Sequence, residues 1–373
     1  MLCVSYNRLN GKNKSLTEMK SVGVMETIIE KVDPRQIDEH IMEQAGQLIA
    51  EGELVAFPTE TVYGLGGDAL HPEAAKKIYA AKGRPSDNPL IVHIAEFSDM
   101  ERVAKTIPEQ AKKLADAFWP GPLTMIVWKS DAVPLATTGG MDTVAVRMPN
   151  HPVALDLIRK SGCLIAAPSA NTSGRPSPTE AQHVAEDLSG RIAMILDGGP
   201  VGIGIESTII DLTEDKPMVL RPGYITPEML SEVLGEEVVI DPGIIAADDT
   251  RKPKAPGMKY RHYAPKADLK IVEGPMEQVI SYINEQAEKG RTGIICTEET
   301  RSRYPKGDIK CVGTRKDELS IASHLFAVLR EFDEDGVEQI YSESFKAPGL
   351  GEAIMNRLLK AAGHQKVDVS DRK

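Results

Sequence analysis

The chain has 373 residues, of which 41% are hydrophobic, and its formal net charge is −11. This is enough material for a large buried core and too long for one average domain, so we expect two domains. The acidic balance argues against a non-specific nucleic-acid binder, and any RNA contact would be weak and would need a local basic patch.

Four widely spaced cysteines without a C-x-x-C pair indicate a reduced compartment rather than a disulfide framework or a zinc site. Residues 1–27 are polar and mixed, and they lack the apolar core of a secretory signal. We interpret them as a disordered extension, with Met1, Met19 and Met25 as alternative starts. The longest apolar runs are far shorter than a membrane span, so we expect a cytoplasmic protein without membrane contact.

Residues 28–240 are expected to form the first domain. The segment 33–52 has helical apolar spacing, with Asp33-Pro34 as its predicted cap and first turn. The segment HPEAAKKIYAAKG predicts a helix that ends before Gly83. Short apolar runs predict strands at ELVAF, PLIVHI, LTMIVWK, TVAVRMP, LIAAPSA, IAMILDGG and STIIDLT. Mixed short strands with intervening helices indicate an α/β sheet protein.

A linker is expected at residues 241–267, where Pro, Gly and charged residues dominate and periodicity is lost. Residues 268–373 then alternate regularly between strand and helix. The predicted strands are LKIVEG, TGIICT, IKCVGT and VEQIYSESF, and the predicted helices are PMEQVISYINEQAEKG, IASHLFAVLREFDEDG and the closing GLGEAIMNRLLKAAG. This pattern predicts a small Rossmann-like parallel α/β domain.

Two familiar nucleotide motifs are absent or poorly placed. GLGGDA fits the loose dinucleotide fingerprint, but PTETVY separates it from the preceding strand and no helix starts at its third position. No P-loop motif occurs, and the eight histidines have no metal-ligand spacing. We therefore expect no metal site and no permanently bound cofactor.

The stretch AAKGRPSDNPLIVHI places Lys82 and Arg84 on either side of a glycine. In an extended loop both side chains would lie on one side and could clamp a polyphosphate. At a helix end they could equally be cationic caps. The prolines and the Ser, Asp and Asn residues that follow favour a site. His93, on the next predicted strand, would by itself be an ordinary core histidine.

Further polar clusters also begin where a predicted strand ends. They contain Thr61, Arg147, Ser169 with Asn171, Ser207 and Arg221. Each alone could be an ordinary polar loop, although Arg147 on an apolar strand must find a carboxylate from the protein or a ligand. Together the clusters present cations, hydroxyls and amides, few carboxylates, and no nucleophile beside a base. This chemistry predicts an anion site that works by positioning and charge stabilisation, as in phosphoryl and nucleotidyl transfer.

The motifs PTETVYGLG, KGRPSDNPLIVHI, WPGPLT, VAVRMP, PSANTSG and GIEST, in this order and spacing, resemble the threonylcarbamoyl-AMP synthase family. The linker and second domain resemble the family's long form, so the similarity extends from about residue 28 to the end. It implies a YrdC-like twisted mixed sheet whose helices form a concave site. It also implies a nucleotidyltransferase that converts L-threonine, bicarbonate (or CO2) and ATP to threonylcarbamoyl-AMP and pyrophosphate, with Mg2+ accompanying ATP. A downstream tRNA threonylcarbamoyltransferase complex would then modify the adenosine beside the anticodon.

The resemblance further implies roles for individual residues. Its K-x-R element makes Lys82 and Arg84 the expected catalytic residues. The expected threonine contacts are Thr61, His93, Arg147, Ala167 and Ser207. The expected nucleotide contacts are Arg84, Asn88, Thr143, Ser169, Asn171, Ser177, Arg221 and Tyr263. Because Tyr263 belongs to the linker, we hypothesise that the linker folds over the site as a lid.

Two alternatives stay open at this stage. A non-catalytic module that binds double-stranded RNA would also present a basic concave face, but the net acidity and the 5% aromatic content argue against it. Carbamoyl transfer on a related domain would require acylphosphatase-like or zinc-finger segments, which the sequence lacks.

Overall fold

The computed structural model describes residues 25–244 and 262–371. The predictions about the N-terminal extension, its alternative starts and most of the linker fall on residues outside these ranges.

Residues 28–240 supply an eleven-stranded mixed sheet with the order β1-β8-β2-β3-β7-β4-β6-β5-β9-β10-β11. Its strands are β1 (Ile28–Lys31), β2 (Val55–Phe57), β3 (Gly64–Asp68), β4 (Ile91–His93), β5 (Leu123–Trp128), β6 (Thr143–Arg147), β7 (Ile165–Ala166), β8 (Met194–Asp197), β9 (Thr208–Asp211), β10 (Met218–Arg221) and β11 (Val239–Ile240). Parallel and antiparallel neighbours alternate irregularly, so the expected mixed sheet is confirmed.

The helices of this region are α1 (Glu39–Ala50), α2 (Pro72–Lys82), α3 (Met100–Val103), α4 (Glu109–Phe118), α5 (Pro152–Ser161), α6 (Ala181–Leu188) and α7 (Pro227–Leu234). The predicted start of α1 is wrong. Its N-cap is Asp38, whose carboxylate accepts hydrogen bonds from the backbone N–H of His40 and Ile41. Asp33 instead closes a turn by accepting from the backbone N–H of Arg35.

The glycine-rich GLGGD forms β3, which the sequence pattern did not predict. Gly66 is the reason that the strand fits there. A Cβ at this position would lie 2.8 Å from side-chain atoms of Ile165 and of Phe57, so only glycine allows this approach. The glycines therefore serve packing and not a dinucleotide turn.

Residues 268–368 supply a second, five-stranded sheet with the order β14-β13-β15-β12-β16. Its strands are β12 (Asp268–Glu273), β13 (Thr292–Cys296), β14 (Asp308–Cys311), β15 (Gln339–Glu343) and β16 (Lys366–Asp368), and its helices are α8 (Met276–Ala287), α9 (Glu318–Asp335) and α10 (Leu350–Ala361). All neighbouring strands are parallel, which confirms the expected fold of this domain. Helix α10 does not close the chain as predicted, since β16 follows it and pairs with β12.

The two domains pack directly against each other. Val62 and Ile205 of the first domain share one buried apolar cluster with Leu325 and Phe326 of α9. Gly204 of the first domain adopts φ +84, and a Cβ there would lie 2.4 Å from the Cα of Ser323. The second domain thus rests against the loop that precedes β9. No helix within the described residues is long and apolar enough to span a membrane.

Candidate functional site

One cavity lies at the ends of the central strands, and His262 and Tyr263 of the linker also line it. It encloses about 610 Å³ of empty space, which includes the solvent at its open mouth. Most of the predicted site residues line it, namely Thr61, Arg84, His93, Arg147, Ala167, Ser169, Asn171, Ser207, Arg221 and Tyr263. The structure therefore brings these residues together, while the role of each one stays a prediction.

Arg147 is the buried cation at the centre of this cavity. The parallel register of β4 and β6 pairs it with His93, and its side chain is 4% exposed. Its guanidinium donates to the hydroxyl of Thr61 at 2.9 Å and to the carbonyl of Gly121 at 3.2 Å. Its remaining nitrogen, Nη2, lies 2.7 Å from a carboxylate oxygen of Glu60. The carboxylate that the sequence required for Arg147 is thus present in the protein.

His93 forms a neutral wall of the cavity. Burial lowers the pKa of its imidazole to about 3, and the charge of Arg147 adds to the shift. Its Nδ1 lies 3.2 Å from the carbonyl of Ile91, and the ring of Phe57 meets it edge-on. A group with this pKa is uncharged near neutral pH and does not compete with Arg147 for an anion.

His93→Gln is expected to make the protein less sensitive to acid. Because the pKa of His93 is about 6.5 unfolded and about 3 folded, the unfolded state binds an extra proton between these values. Wild-type stability should therefore fall by about 2 kcal/mol more than that of the variant between pH 7 and pH 5. Urea unfolding of both proteins at the two pH values measures this difference. An equal loss in both would show that His93 titrates normally.

Arg221 and Ser207 form a second polar group on the same cavity. Arg221 donates to the carbonyl of Ser207 at 3.0 Å and to its hydroxyl at 3.1 Å. That hydroxyl also lies 2.8 Å from the hydroxyl of Thr124 on β5. Burial lowers the pKa of Arg221 to about 10, so it stays a cation at neutral pH. This end of the site offers one fixed charge and two hydroxyls.

The loop after β7 contains the predicted S-x-N pair, and the side chain of Lys82 forms hydrogen bonds with its backbone. The hydroxyl of Ser169 donates to the Oδ1 of Asn171 at 2.6 Å. The ammonium of Lys82 donates to the backbone carbonyls of both residues, at 2.5 Å in the case of Asn171. Lys82 is 3% exposed, and burial holds the pKa of its ammonium well below the usual value. Lys82 therefore positions the loop.

The extended-loop geometry predicted for Lys82 and Arg84 is wrong. Helix α2 continues through Lys82, and Gly83 ends it with φ 61 in the left-handed region. The two side chains consequently diverge, because the Lys82 ammonium turns to the S-x-N loop while Arg84 lines the cavity. A catalytic effect of Lys82 stays a prediction and would act through that loop.

Arg84 lines the cavity, whereas Asn88, another predicted nucleotide contact, does not. Arg84 donates to the carbonyls of Asn88 and Pro89, at 3.3 and 3.1 Å. Its Nε and the Oδ1 of Asn88 are buried without a hydrogen-bond partner among the described residues. Thr143 begins β6, four residues before Arg147, and it does not line the cavity. The Thr143 prediction thus falls beside the cavity rather than within it.

Ser177 does not line the cavity either, and it connects to the second domain through Glu206. Its hydroxyl donates to Glu206 at 2.5 Å, and the other carboxylate oxygen of Glu206 accepts from Arg357 of α10 at 2.7 Å. Although burial opposes ionisation, the Arg357 and Arg221 charges hold the pKa of Glu206 at about 2. Arg357 also lies over the ring of Tyr263. The second domain thereby fixes one wall of the site.

Helix α9 makes a similar contact with the S-x-N loop. Arg330, 1% exposed, donates to both carboxylate oxygens of Asp187 and, at 2.6 Å, to the carbonyl of Pro176. Asp187 in turn accepts from the backbone N–H of Thr172 at 2.9 Å. Two buried arginines of the second domain therefore hold acids of the first domain next to the cavity.

Sequence reasoning missed four charged residues of this arrangement. Glu60 and Glu206 stand inside quoted motifs but received no role, and the site was expected to hold few carboxylates. Arg330 and Arg357 stand four residues after Phe326 and Ala353, on the buried faces of their helices. The position of Arg330 and Arg357 on otherwise apolar helix faces was the sequence feature that could have identified them as buried cations. Within the described residues, no group of three metal-ligating side chains is arranged to hold an ion.

Two family models and several known proteins are similar to this chain. A family model described as "Telomere recombination" matches residues 47–223, and one described as "Threonylcarbamoyl-AMP synthase, C-terminal domain" matches residues 225–363. A threonylcarbamoyl-AMP synthase of Bacillus subtilis is 52% identical over 90% of this chain and 96% of its own length. One of Pyrococcus abyssi is 51% identical over 92% of this chain and its full length.

A solved structure agrees with these relatives over the same extent. The crystal structure of Pyrococcus abyssi Sua5 complexed with L-threonine superposes with a TM-score of 0.87 at 49% identity, covering 92% of this chain and all of that one. Both domains, in this order and at this similarity, lead to one conclusion: the chain belongs to the threonylcarbamoyl-AMP synthase family, in its two-domain form.

Proposed function

We propose that this chain makes threonylcarbamoyl-AMP and pyrophosphate from L-threonine, bicarbonate (or CO2) and ATP. Family membership over nine-tenths of the chain supports the proposal. The structural observation that carries it is the convergence of three guanidinium groups, those of Arg84, Arg147 and Arg221, on one cavity. Such a set suits a ligand pair with several anionic groups, here an amino-acid carboxylate and a triphosphate.

The reaction needs positioning and charge stabilisation more than a protein nucleophile. The threonine amine and bicarbonate give a carbamate, whose oxygen attacks the α-phosphorus of ATP as pyrophosphate leaves. Arg147 and the hydroxyls of Thr61 and Ser207 hold threonine, and Arg84 stabilises the charge that develops on the phosphates. The neutral His93 lines the threonine pocket.

The product is a mixed anhydride and hydrolyses unless water is kept out. Tyr263 is well placed for this task, since it is 5% exposed, lines the cavity and stacks on Phe326 of α9. We therefore keep the hypothesis that the linker acts as a lid. Full activity in a chain truncated near Asp241 would contradict it.

ATP enters this scheme as its magnesium complex. The cavity supplies cations rather than a cluster of acids, so the phosphates themselves would hold the metal ion. Removal of Mg2+ with EDTA is expected to stop turnover and excess Mg2+ to restore it. Undiminished turnover in EDTA would contradict the proposal for the metal.

Downstream, a tRNA threonylcarbamoyltransferase complex would consume the unstable product. The alternative of a non-catalytic double-stranded-RNA-binding module is disfavoured, because the clustered cations line a cavity and the family name describes a synthase. An omission assay tests the choice. Pyrophosphate release should need L-threonine, bicarbonate and ATP together. Release without threonine, or none from folded protein with Mg2+ present, would contradict the proposed function.

A further inference from the structure

Two cysteines of the second domain lie side by side in its sheet, and the proposed reaction uses neither of them. Cys296 ends β13 and Cys311 ends β14. These strands are parallel neighbours, and their register pairs the two cysteines directly. The separation of neighbouring strands, about 4.8 Å, lies near the short end of the range of roughly 4.4–6.8 Å between the Cα atoms of a disulfide. Both thiols are free in the structure, but their backbones are close enough for a bond.

The two side chains also point to the same face of the sheet. Cys296 packs with Ile294 in the buried apolar cluster under α8, and Ile309 packs against that cluster from β14. Because side chains alternate along a strand, Cys311 lies on the same face as Ile309. The thiol of Cys296 donates to the carbonyl of Lys310, the residue before Cys311, at 3.7 Å. The Cys296 thiol is therefore directed toward the strand that carries Cys311, and the two thiols interact electrostatically.

The two thiols differ in their access to solvent. Cys296 is fully buried, and burial together with the charge of Glu343 raises the pKa of its thiol to about 12. Cys311 is only partly buried, and β14 lies at the edge of the five-stranded sheet. The thiolate is the form of cysteine that attacks a disulfide. A reagent from solvent should therefore react first with Cys311.

We propose that Cys296 and Cys311 are a redox-active pair that forms a reversible disulfide with a small-molecule disulfide as the oxidant. This inference goes beyond the proposed function. The Cys311 sulfur attacks one sulfur of the oxidant, whose S–S bond breaks, and the first small thiol leaves with the Cys311 proton. The Cys296 sulfur then attacks the Cys311 sulfur, and the second small thiol leaves with the Cys296 proton. Two protein thiols are oxidised, and one small disulfide is reduced to two thiols.

The bond should be easy to reduce. A Cα separation near the short end of the range strains a disulfide, and strained disulfides are the labile ones. An edge strand has a neighbour on one side, so β14 can make the small shift that the bond requires. Residues 312–317 lead from β14 into α9, whose Arg330 holds Asp187 of the first domain. The pair thus lies next to a contact that supports the site.

Peptide mapping of the folded, full-length protein tests the proposal. The parent protein carries Cys3→Ser and Cys163→Ser, so that the pair supplies its only thiols. It is incubated with oxidised glutathione, blocked with an alkylating reagent and digested with trypsin, which cleaves after Arg301 and Lys310 and so separates the two cysteines. We expect the two cysteine peptides to be linked, with the loss of two hydrogen atoms. Dithiothreitol should restore both thiols.

Cys296→Ala in the same background identifies the order of the two attacks. Because this variant lacks the second thiol, it should keep a glutathione adduct on Cys311, which the parent should lose as the bond forms. Thermal unfolding checks that the variant is folded, and the parent alone decides the proposal. A parent that keeps the adduct on Cys311 beside a free Cys296 would overturn it. So would two unreacted thiols, or a bond between Cys311 residues of two molecules. None of these measurements depends on threonine or ATP, so the proposed function is tested separately.

Discussion

Arg84→Ala is expected to reduce turnover with threonine, bicarbonate and ATP by about 100- to 1,000-fold, the range for loss of a charge-stabilising donor. Arg84 lines the cavity, and its Nε is buried without a hydrogen-bond partner among the described residues. Burial lowers the pKa of its guanidinium to about 10, so it stays charged at neutral pH. Its protein contacts are two backbone carbonyls, so folding stability should change little. Pyrophosphate release and thermal unfolding measure the two effects.

Two further variants make this prediction specific. Arg84→Lys keeps the positive charge but loses the planar guanidinium with its fixed set of N–H donors. Its activity should therefore lie between those of Arg84→Ala and wild type. Arg102→Ala removes an exposed arginine that pairs with Asp99 and should have wild-type activity. An Arg84→Ala protein that unfolds like wild type and turns over at an undiminished rate would remove Arg84 from the catalytic account.

Arg357→Met is expected to lower the free energy of unfolding by about 3–5 kcal/mol and to reduce turnover as well. The substitution keeps side-chain bulk but removes the ion-pair partner of the buried Glu206 carboxylate and leaves only the charge of Arg221 nearby, which is the costly way to break a buried pair. Since Glu206 also accepts from Ser177 and lines the cavity, its displacement should disturb Ser177, a predicted nucleotide contact. Urea unfolding and the KM for ATP measure both consequences.

A double variant distinguishes a charge effect from a packing effect. Arg357→Met with Glu206→Gln removes both charges, so it should be more stable than Arg357→Met alone. Arg303→Met breaks an exposed ion pair with Glu277 in the same domain and should leave the free energy of unfolding nearly unchanged. If the double variant is no more stable than the single one, the loss comes from packing and the buried ion pair is not what joins the domains.

The sequence predicted those parts of the fold that depend on local pattern. The apolar runs around His93 and Arg147 are strands because short, fully buried strands read as continuous hydrophobic segments. The glycine-rich β3 has no such pattern, and only the close approach of Ile165 and Phe57 to Gly66 explains it. The start of α1 was misplaced because Asp33 and Asp38 are both good N-caps and only the backbone decides between them.

Sequence reasoning predicted the site residues that lie at strand ends. It missed the contacts between residues that are far apart in the sequence. Thr61 follows β2 and Arg147 ends β6, so their convergence could be expected from topology, whereas Ser207 directly precedes β9. The predicted end of the helix before Gly83 is confirmed, but a K-x-R spacing does not reveal that the side chains of Lys82 and Arg84 diverge from that helix end. The contact of Glu206 with Arg357 joins residues 151 positions apart, which no local pattern can pair.

The most direct test of the central claim is identification of the product. Purified protein is incubated with carbon-13-labelled bicarbonate, L-threonine and MgATP, quenched after a short time and analysed by mass spectrometry beside Arg84→Ala. We predict one new adenylate that carries both the threonine mass and the labelled carbon, and its near absence in the variant. An adenylate without the labelled carbon would contradict the account, as would AMP formed equally without threonine.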